Sequence, residues 1–187
     1  MDKNDIIKSA LKLFHQKGYE ATSMEDIAYD LEIKKASLYY HIKSKQELLH
    51  TLVEDIGFRL YQTVRNVEAS NFTVYEKLRQ AVYDHTLTVL TNPEYVAVIH
   101  DEIRSLDSQE SLIIKETQEE YLNVFKNLLS EGIEAGFIID SDVTVMAHII
   151  LGTCTWPYKW FKGGERFPPD VVASMVCEFV MKAITKG

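Results

Sequence analysis

The 187-residue sequence contains few helix breakers, few cysteines and no long apolar stretch. Proline, the strongest helix breaker, occurs four times and is absent before Pro93. Cys154 and Cys177 form no CxxC or metal-ligand spacing, which argues against a disulfide framework. The longest apolar run, 143–151, is well below the roughly 20 residues that cross a bilayer, and the N-terminus lacks a signal-peptide pattern. We therefore expect a cytoplasmic protein that does not interact with membranes.

Sequence motifs of catalysis and metal binding are also missing. The six histidines form no HxxxH or HExxH pattern, and the chain has no nucleophile elbow or glycine-rich phosphate loop. His85, His100 and His148 fall in three different predicted helices, and we interpret them as satisfied polar groups of a core or a pocket. We predict no enzyme activity, no metal and no cofactor. A helical-bundle enzyme would be the alternative if these histidines held a metal ion.

The charge distribution separates a balanced N-terminal part from an acidic remainder. The formal net charge is −8, yet residues 1–47 carry eight basic and eight acidic side chains, so all of the excess lies in 48–187. From Ile33 to Gln46 there are four lysines and no acid. Such a run of lysines is often only a solvated surface. Because DNA phosphates attract the lysines and repel the acidic remainder, the pattern also favours a small DNA-docking module.

Two short helices separated by a turn are predicted in this N-terminal part. Met24, Ile27, Ala28 and Leu31 have the apolar spacing of one helix face, and 22–25 has the capping-box pattern. This segment would be the support helix of a helix-turn-helix motif.

After a turn at 31–33, a second short helix is predicted at 35–41 as the recognition helix. Ala36 and Leu38 are available to the core, whereas hydroxyl, aromatic and basic side chains are available to DNA. Ser44 caps the following helix. The side chains that we expect at DNA are those of Thr22, Ser23, Lys34, Lys35, Ser37, Tyr39, Tyr40, His41 and Lys45.

A family resemblance covers the stretch from Ile6 to about Leu49. The positions that carry it are Ala10, Phe14, Gly18, Tyr19, Thr22, Ile27, Ala28, Leu38, Tyr39, His41, Lys45 and Leu48. With these residues the stretch resembles the N-terminal pattern of the tetracycline-repressor (TetR/AcrR) family of bacterial regulators. It departs from the pattern at Glu32, where the family usually has a turn glycine, and at Ile42, where it usually has phenylalanine. Glu32 would then hold a left-handed backbone, at a cost of about 1 kcal/mol.

Helical periodicity continues along the chain and predicts an all-α protein of about nine helices. The predicted helices cover about 4–17, 24–31, 35–41, 45–67, 74–91, 93–106, 109–135, an apolar segment from 143 onwards, and 169–184. Pro157 should kink or end the eighth helix, and 138–139 is strand-like. The resemblance implies a three-helix helix-turn-helix DNA-binding domain at 1–47 and a larger antiparallel helical bundle for ligand binding and dimerisation at 48–187.

The last two long helices have more apolar surface than the core of one protomer requires. The segment 143–151 is apolar on nearly every side, which predicts burial all round, and the last helix carries two adjacent apolar columns. The resemblance implies a homodimer that pairs these helices in a four-helix bundle. Burial of the last helix within its own subunit is the alternative. The expected interface residues are Met146, Ile150, Trp160, Val172, Met175, Val176, Phe179 and Val180.

Aromatic residues of the C-terminal part indicate an apolar ligand pocket, although a packed core would use the same residues. The expected ligand-binding residues are Phe58, Tyr61, Tyr83, Arg104, Tyr121, Phe125, Trp156 and Lys159. The segments 101–106 and 152–161 resemble the family branch that responds to fatty-acyl or steroid-acyl thioesters of coenzyme A. An acyl tail would suit the aromatic residues, and phosphates would suit Arg104, Lys159, Lys162 or Arg166.

The sequence therefore predicts a dimeric, ligand-responsive transcriptional regulator. In its simplest form it is a repressor that leaves a palindromic operator in double-stranded DNA when a small apolar or amphipathic effector binds, and an acyl-CoA is the candidate effector. The alternative is a DNA-binding protein whose C-terminal domain recognises a protein partner.

Overall fold

The computed structural model describes residues 2–102, 108–163 and 167–186, with the backbone alone for 108–113. Regular structure in these ranges is helical, which confirms the all-α prediction. The helices are α1 (Lys3–Lys17), α2 (Met24–Asp30), α3 (Lys35–His41), α4 (Lys45–Glu68), α5 (Val74–Thr91), α6 (Pro93–Glu102), α7 (Ser108–Glu134), α8 (Val143–Thr155), the single turn α9 (Pro157–Trp160) and α10 (Pro169–Ile184). The predicted strand-like pair corresponds to one isolated antiparallel bridge between Ile138 and Thr185.

Local side-chain caps determine where several helices begin. Three of them start with complete capping boxes, formed by Asp2 with Asp5, by Ser23 with Asp26, and by Thr73 with Glu76. In each box the cap side chain accepts a backbone N–H that has no partner within the first helical turn. The box of α2 lies one residue later than the predicted 22–25, because the Thr22 hydroxyl points inward and donates to backbone carbonyl oxygens.

The first compact unit comprises Met1–Gly57 and Glu94–Lys115. It holds α1 to α3, the first half of α4, and most of α6. Its core includes Ile6, Ala10, Phe14, Ile27, Leu38, Ile42, Leu48, Leu49, Leu52 and Val98. Ile42 is fully buried there, so an aliphatic side chain fills the position where the family usually has phenylalanine.

The second compact unit comprises Phe58–Pro93 and Glu116–Gly187. Within it α5 packs against α8, α9 and α10. Its core includes Val64, Leu78, Val82, Phe125, Leu129, Ile138, Ala147, Ile150, Cys154, Val180 and Ile184. None of the described helices is long and apolar enough to cross a membrane.

The two units divide the chain within α4, which is continuous from Lys45 to Glu68. The predicted functional boundary, with DNA binding at 1–47 and ligand binding and dimerisation at 48–187, remains a proposal. The continuity of α4 means that one helix begins beside the recognition helix and ends in the second compact unit.

One expectation about burial is wrong. Ala36 is exposed and does not enter the core, which receives only Leu38 from α3. Helix α8 is not buried all round by its own protomer, because Val145 and Ile149 are exposed on one face. Apolar periodicity shows that a face avoids water, but it does not show whether the same protomer covers that face.

Candidate nucleic-acid interface and apolar surfaces

Helix α3 is held by one side chain and leaves the rest of its surface open. Leu38 is fully buried in the first core, and it is the only buried residue of this seven-residue helix. The predicted DNA-facing residues Ser37, Tyr39, Tyr40 and His41 are all exposed. The rings of Tyr40 and His41 meet edge to face with centroids 5.1 Å apart. Hydroxyl, imidazole and aromatic groups thus lie on one open helix, as recognition of a nucleic acid requires.

The turn between α2 and α3 forms without the usual glycine. Glu32 has φ +56°, so it does adopt the left-handed backbone expected from the sequence. The Glu32 N–H donates to the Tyr29 carbonyl at 3.0 Å, and the Ile33 N–H donates to the Ala28 carbonyl at 2.9 Å. These bonds close the turn and offset a conformational cost of about 1 kcal/mol.

The two lysines at the start of α3 have different environments. Lys34 is exposed, whereas the Lys35 ammonium forms an ion pair with Glu25 in the first turn of α2. This contact raises the pKa of Lys35 and lowers the pKa of Glu25. Both groups therefore stay charged at neutral pH, and a phosphate would have to share Lys35 with Glu25. This pairing could not be predicted from the sequence, since no local periodicity links residues ten positions apart across a turn.

Lys45 is tied to the loop between α1 and α2. Its Nζ donates to the Tyr19 carbonyl at 2.7 Å and to the Glu20 carbonyl at 3.4 Å, and it lies 4.2 Å from the centroid of the Tyr19 ring. An ammonium group has three donors, so these contacts leave capacity for a phosphate oxygen. Lys45 thus starts α4 in a fixed position rather than as a freely rotating side chain.

Thr22 and Ser23 are placed differently from each other. The Thr22 side chain is buried, and its hydroxyl donates to the Gly18 carbonyl at 2.8 Å and to the Leu13 carbonyl at 3.3 Å. The prediction that Thr22 binds DNA through its side chain is therefore corrected. Ser23 is exposed at the N-terminus of α2, where its hydroxyl caps the helix by accepting from the Asp26 N–H at 3.1 Å.

Some of the predicted ligand-binding residues meet in the core of the second unit. His85 is buried between α7 and α8, with Nδ1 2.8 Å from the Tyr121 hydroxyl and Nε2 2.9 Å from the Thr155 hydroxyl. The Tyr121 ring lies 5.4 Å from the fully buried ring of Phe125. Both ring nitrogens of His85 thus have a hydrogen-bonding partner, as predicted from the sequence. Tyr83 packs partly buried against the same core.

The other predicted ligand-binding residues that the structure describes have different environments. Phe58 and Trp156 are both about 60% exposed, and Lys159 is exposed on α9. Tyr61 forms a hydrogen bond with Glu120, and this contact raises the pKa of Tyr61. Arg104 and Arg166 lie outside the described residues. Among the described side chains, no group of three or more histidine, cysteine or acidic residues is arranged to hold a metal ion.

Helices α8, α9 and α10 together expose a row of large apolar side chains. We name this surface the α8–α10 face; its exposed members are Val145, Ile149, Trp156, Trp160, Val171, Met175 and Phe179. Of the predicted interface residues, Trp160, Met175 and Phe179 belong to the face and Val176 is half-buried beside it. The others are buried within the protomer and form its own core rather than an open surface. These corrected residues are Met146, Ile150, Val172 and Val180.

An apolar groove of about 560 Å³ opens beside the α8–α10 face. It is lined by Thr153, Trp160, Phe161, Lys162, Gly163, Phe167, Val172, Met175, Val176 and Phe179. Among the described residues of this lining, Lys162 carries the one charged side chain. A groove with aromatic walls and a cation suits a molecule that has both an apolar part and an anionic part.

Burial of His85 has a measurable consequence for stability. It lowers the pKa of His85 from 6.5 to about 4. Below pH 6.5 the unfolded chain binds a proton at this position, whereas the folded protein does so only near pH 4. His85 therefore makes the folded state progressively less stable as the pH falls from about 6.5 to about 4, by about 3 kcal/mol in total.

We predict that His85→Gln flattens the pH dependence of unfolding in that interval, because glutamine keeps a hydrogen-bonding group but does not titrate. Urea denaturation at pH 7.5, 6, 5 and 4.5 would give the free energy of unfolding of both proteins. His100→Gln is the matched control, since His100 is exposed. Parallel pH profiles for wild type and His85→Gln would contradict the prediction.

Comparisons with known proteins agree with this geometry. The family described as bacterial regulatory proteins, tetR family, matches residues 6–52. The family described as tetracyclin repressor-like, C-terminal domain, matches residues 71–184. The first match contains α2, α3 and the start of α4, and the second contains the α8–α10 face.

Individual relatives cover nearly the whole chain. The HTH-type transcriptional repressor KstR2 of Mycobacterium tuberculosis is 25% identical over 98% of this chain and 93% of its own length. Its solved structure, described as a ketosteroid transcriptional regulator, has a TM-score of 0.92 and covers 98% of this chain and 95% of that one. The crystal structure of AibR in complex with isovaleryl coenzyme A and operator DNA has a TM-score of 0.84 at 28% identity, covering 94% and 96% of the two chains.

These proteins and both families are regulators, not enzymes. The C-terminal match alone spans more than half of the chain, and the N-terminal match covers the helix-turn-helix. The chain therefore belongs to the TetR family of bacterial regulatory proteins.

Proposed function

We propose that this protein is a homodimeric transcriptional repressor that binds a palindromic operator and is released from it by an acyl-CoA. The observation that carries the DNA-binding part is the open surface of α3, which is flanked by four lysines and no acid between residues 33 and 46. The naming of KstR2 as a repressor and the operator complex of AibR support the same conclusion.

At the DNA, contacts with phosphates and contacts with base edges have separate tasks. Lys34, Lys35, Lys45 and the hydroxyls of Tyr39 and Tyr40 contact phosphates and set the register of the protein on the duplex. Ser37 lies on the exposed surface of α3 and, with Lys35 and Tyr39, reaches the base edges.

The salt dependence of binding tests the phosphate contacts. We predict that Lys34→Ala weakens binding to all DNA sequences alike and reduces the slope of log K against log salt by roughly 0.9 for each phosphate that the variant no longer neutralises. Binding would be measured by fluorescence anisotropy at several salt concentrations. Lys126→Ala, which removes a lysine of α7, is the control and should leave the slope unchanged. An unchanged slope in Lys34→Ala would remove that residue from the interface.

Dimerisation through the α8–α10 face accounts for its exposed apolar side chains. Exposed apolar patches of this kind commonly mark protein contacts, and a two-fold axis would place the same helices of both protomers against each other. Such a dimer presents two recognition helices to successive major grooves, about 34–36 Å apart, and therefore reads a palindrome.

We predict that Phe179→Glu produces monomers that no longer bind the operator with wild-type affinity. Phe179 is 68% exposed, so the substitution should leave the protomer folded while it places a charge in the interface. Sedimentation velocity and band-shift titration would measure assembly and binding. Phe72→Glu makes the same change at an exposed phenylalanine outside the face and should remain dimeric. A monomeric wild type at micromolar concentration would contradict the proposal.

An acyl-CoA fits the chemistry of the second unit. The groove is open and apolar, and Lys162 at its margin, with Lys159 on α9, can attract the phosphates of coenzyme A. The predicted site among Tyr83, Tyr121 and Phe125 would first have to open, because the core is packed there. AibR binds isovaleryl coenzyme A, which supports this class of effector.

We predict that acyl-CoAs raise the melting temperature and displace the protein from its operator. At a ligand concentration of about 100 times Kd the stabilisation is about 2.7 kcal/mol. Thermal shift and band-shift titrations would compare acyl-CoAs of several chain lengths with free coenzyme A and with the free fatty acids. Lys162→Ala should weaken the response, whereas Lys126→Ala should not.

If no acyl-CoA has either effect, the effector assignment fails and the repressor assignment remains. If acyl-CoAs act equally on wild type and Lys162→Ala, the effector class stands and the groove is not its site.

Helix α4 is the proposed link between effector and DNA. It begins with Lys45 beside the recognition helix and continues to Glu68 in the second unit. A dimer holds its two DNA-binding domains at the spacing of successive major grooves. A shift of these domains therefore weakens contacts with both half-sites together. A coupling of about 1–3 kcal/mol between effector and operator would suffice for release.

A further inference from the structure

The loop that follows α1 is held by an acidic side chain from α6, which is distant in the sequence but belongs to the same compact unit. Gly18 ends α1 with φ +86°, and its own N–H donates to the Phe14 carbonyl at 2.9 Å. Beyond this left-handed residue the next backbone N–H, that of Tyr19, points away from the helix. It donates to Oε1 of Glu102 at 3.2 Å. Glu102 is the last residue of α6, so α6 supplies an acceptor that α1 does not provide.

Tyr19 also binds Lys45, through its carbonyl group and its ring. The Tyr19 carbonyl accepts from Lys45 Nζ at 2.7 Å and from the Thr22 N–H at 3.1 Å. The Tyr19 ring lies beneath the ammonium group and meets Phe14 edge to face, with centroids 5.1 Å apart. Tyr19 is buried, so its ring cannot move without disturbing the core. Its backbone is thus hydrogen-bonded to Glu102 on one side and to Lys45 on the other.

We propose that Glu102 is a positioning residue which, through the backbone of Tyr19, sets the Lys45 ammonium for contact with an operator phosphate. The proposal rests on the DNA-binding role proposed above. It joins three elements of the first compact unit, namely the end of α6, the α1–α2 loop and the start of α4. A displacement of α6 would then change the position of a phosphate-binding group without touching the recognition helix.

A positioning role and a purely electrostatic role of Glu102 predict opposite changes in DNA affinity when its carboxylate is removed. Glu102 carries a negative charge, so its removal near a DNA-binding surface would strengthen binding if charge alone mattered. If Glu102 acts as an acceptor, Glu102→Ala removes the tether and weakens binding. Glu102→Gln keeps a carbonyl oxygen that can accept the Tyr19 N–H, and it should retain binding although the charge is gone.

The experiment compares Glu102→Ala, Glu102→Gln and the neighbouring control Asp101→Asn as full-length proteins. Affinity would be measured by anisotropy on a duplex that the wild-type protein selects from a random library. We expect Glu102→Ala to bind about threefold to tenfold more weakly, the change that corresponds to one hydrogen bond. Its salt slope should also be smaller, by roughly 0.9 if Lys45 no longer neutralises its phosphate. Glu102→Gln and Asp101→Asn should bind like wild type.

Amide hydrogen exchange gives a readout that is independent of DNA. The Tyr19 amide should exchange faster in Glu102→Ala than in Glu102→Gln, while amides in the centre of α1 keep their wild-type rates. This comparison also separates loss of the tether from general unfolding. Equal or tighter DNA binding by Glu102→Ala, an equal loss in both Glu102 variants, or an unchanged Tyr19 exchange rate would overturn the proposal. If the wild-type protein selects no duplex, the proposed function fails instead, and the Tyr19 exchange rates still decide whether Glu102 holds the loop.

Discussion

The recognition surface depends on the burial of one leucine. Helix α3 has seven residues, and no side chain caps its N-terminus. An isolated helix of this length is unstable in water, because too few hydrogen bonds offset the cost of its nucleus. Leu38, fully buried among α1, α2 and the start of α4, supplies the tertiary contact that α3 needs. Since one residue provides the anchor, the other side chains of the helix remain exposed.

Two of the lysines around this helix are held by neighbouring groups of the protein. Lys35 is paired with Glu25, and Lys45 is bound by the carbonyl of Tyr19. Exposed ion pairs contribute little to folding stability, so the main effect of Glu25 is to orient the Lys35 ammonium group. A positively charged group that is already oriented loses less side-chain entropy on binding a phosphate. The local arrangement explains how a protein with a net charge of −8 can present a surface that suits DNA.

Much of the fold was predictable from local signals, because caps, glycines, prolines and apolar spacing act within one helical turn. The helix-turn-helix and the end of α8 before Pro157 were predictable in this way, whereas the left-handed Glu32 was expected from the family resemblance. The inward position of the Thr22 side chain was not predictable, since only the folded loop shows that its hydroxyl reaches the carbonyl of Leu13. Nor could the sequence reveal the contact of Glu102 with Tyr19, which are 83 positions apart.

The apolar residues of α8 and α10 show why the second unit was harder to predict than the first. Both helices have enough apolar side chains for two faces, and the sequence does not distinguish the face that builds the protomer from the face left open. The structure separates them: Ile150 and Val180 are in the core, whereas Ile149 and Phe179 are exposed. Exposing apolar surface to water is unfavourable in free energy, so an apolar face of this size points to a partner in the assembled protein. Because the groove shares Met175 and Phe179 with this face, an effector in the groove would lie against the proposed dimer contact, where it could alter how two protomers meet.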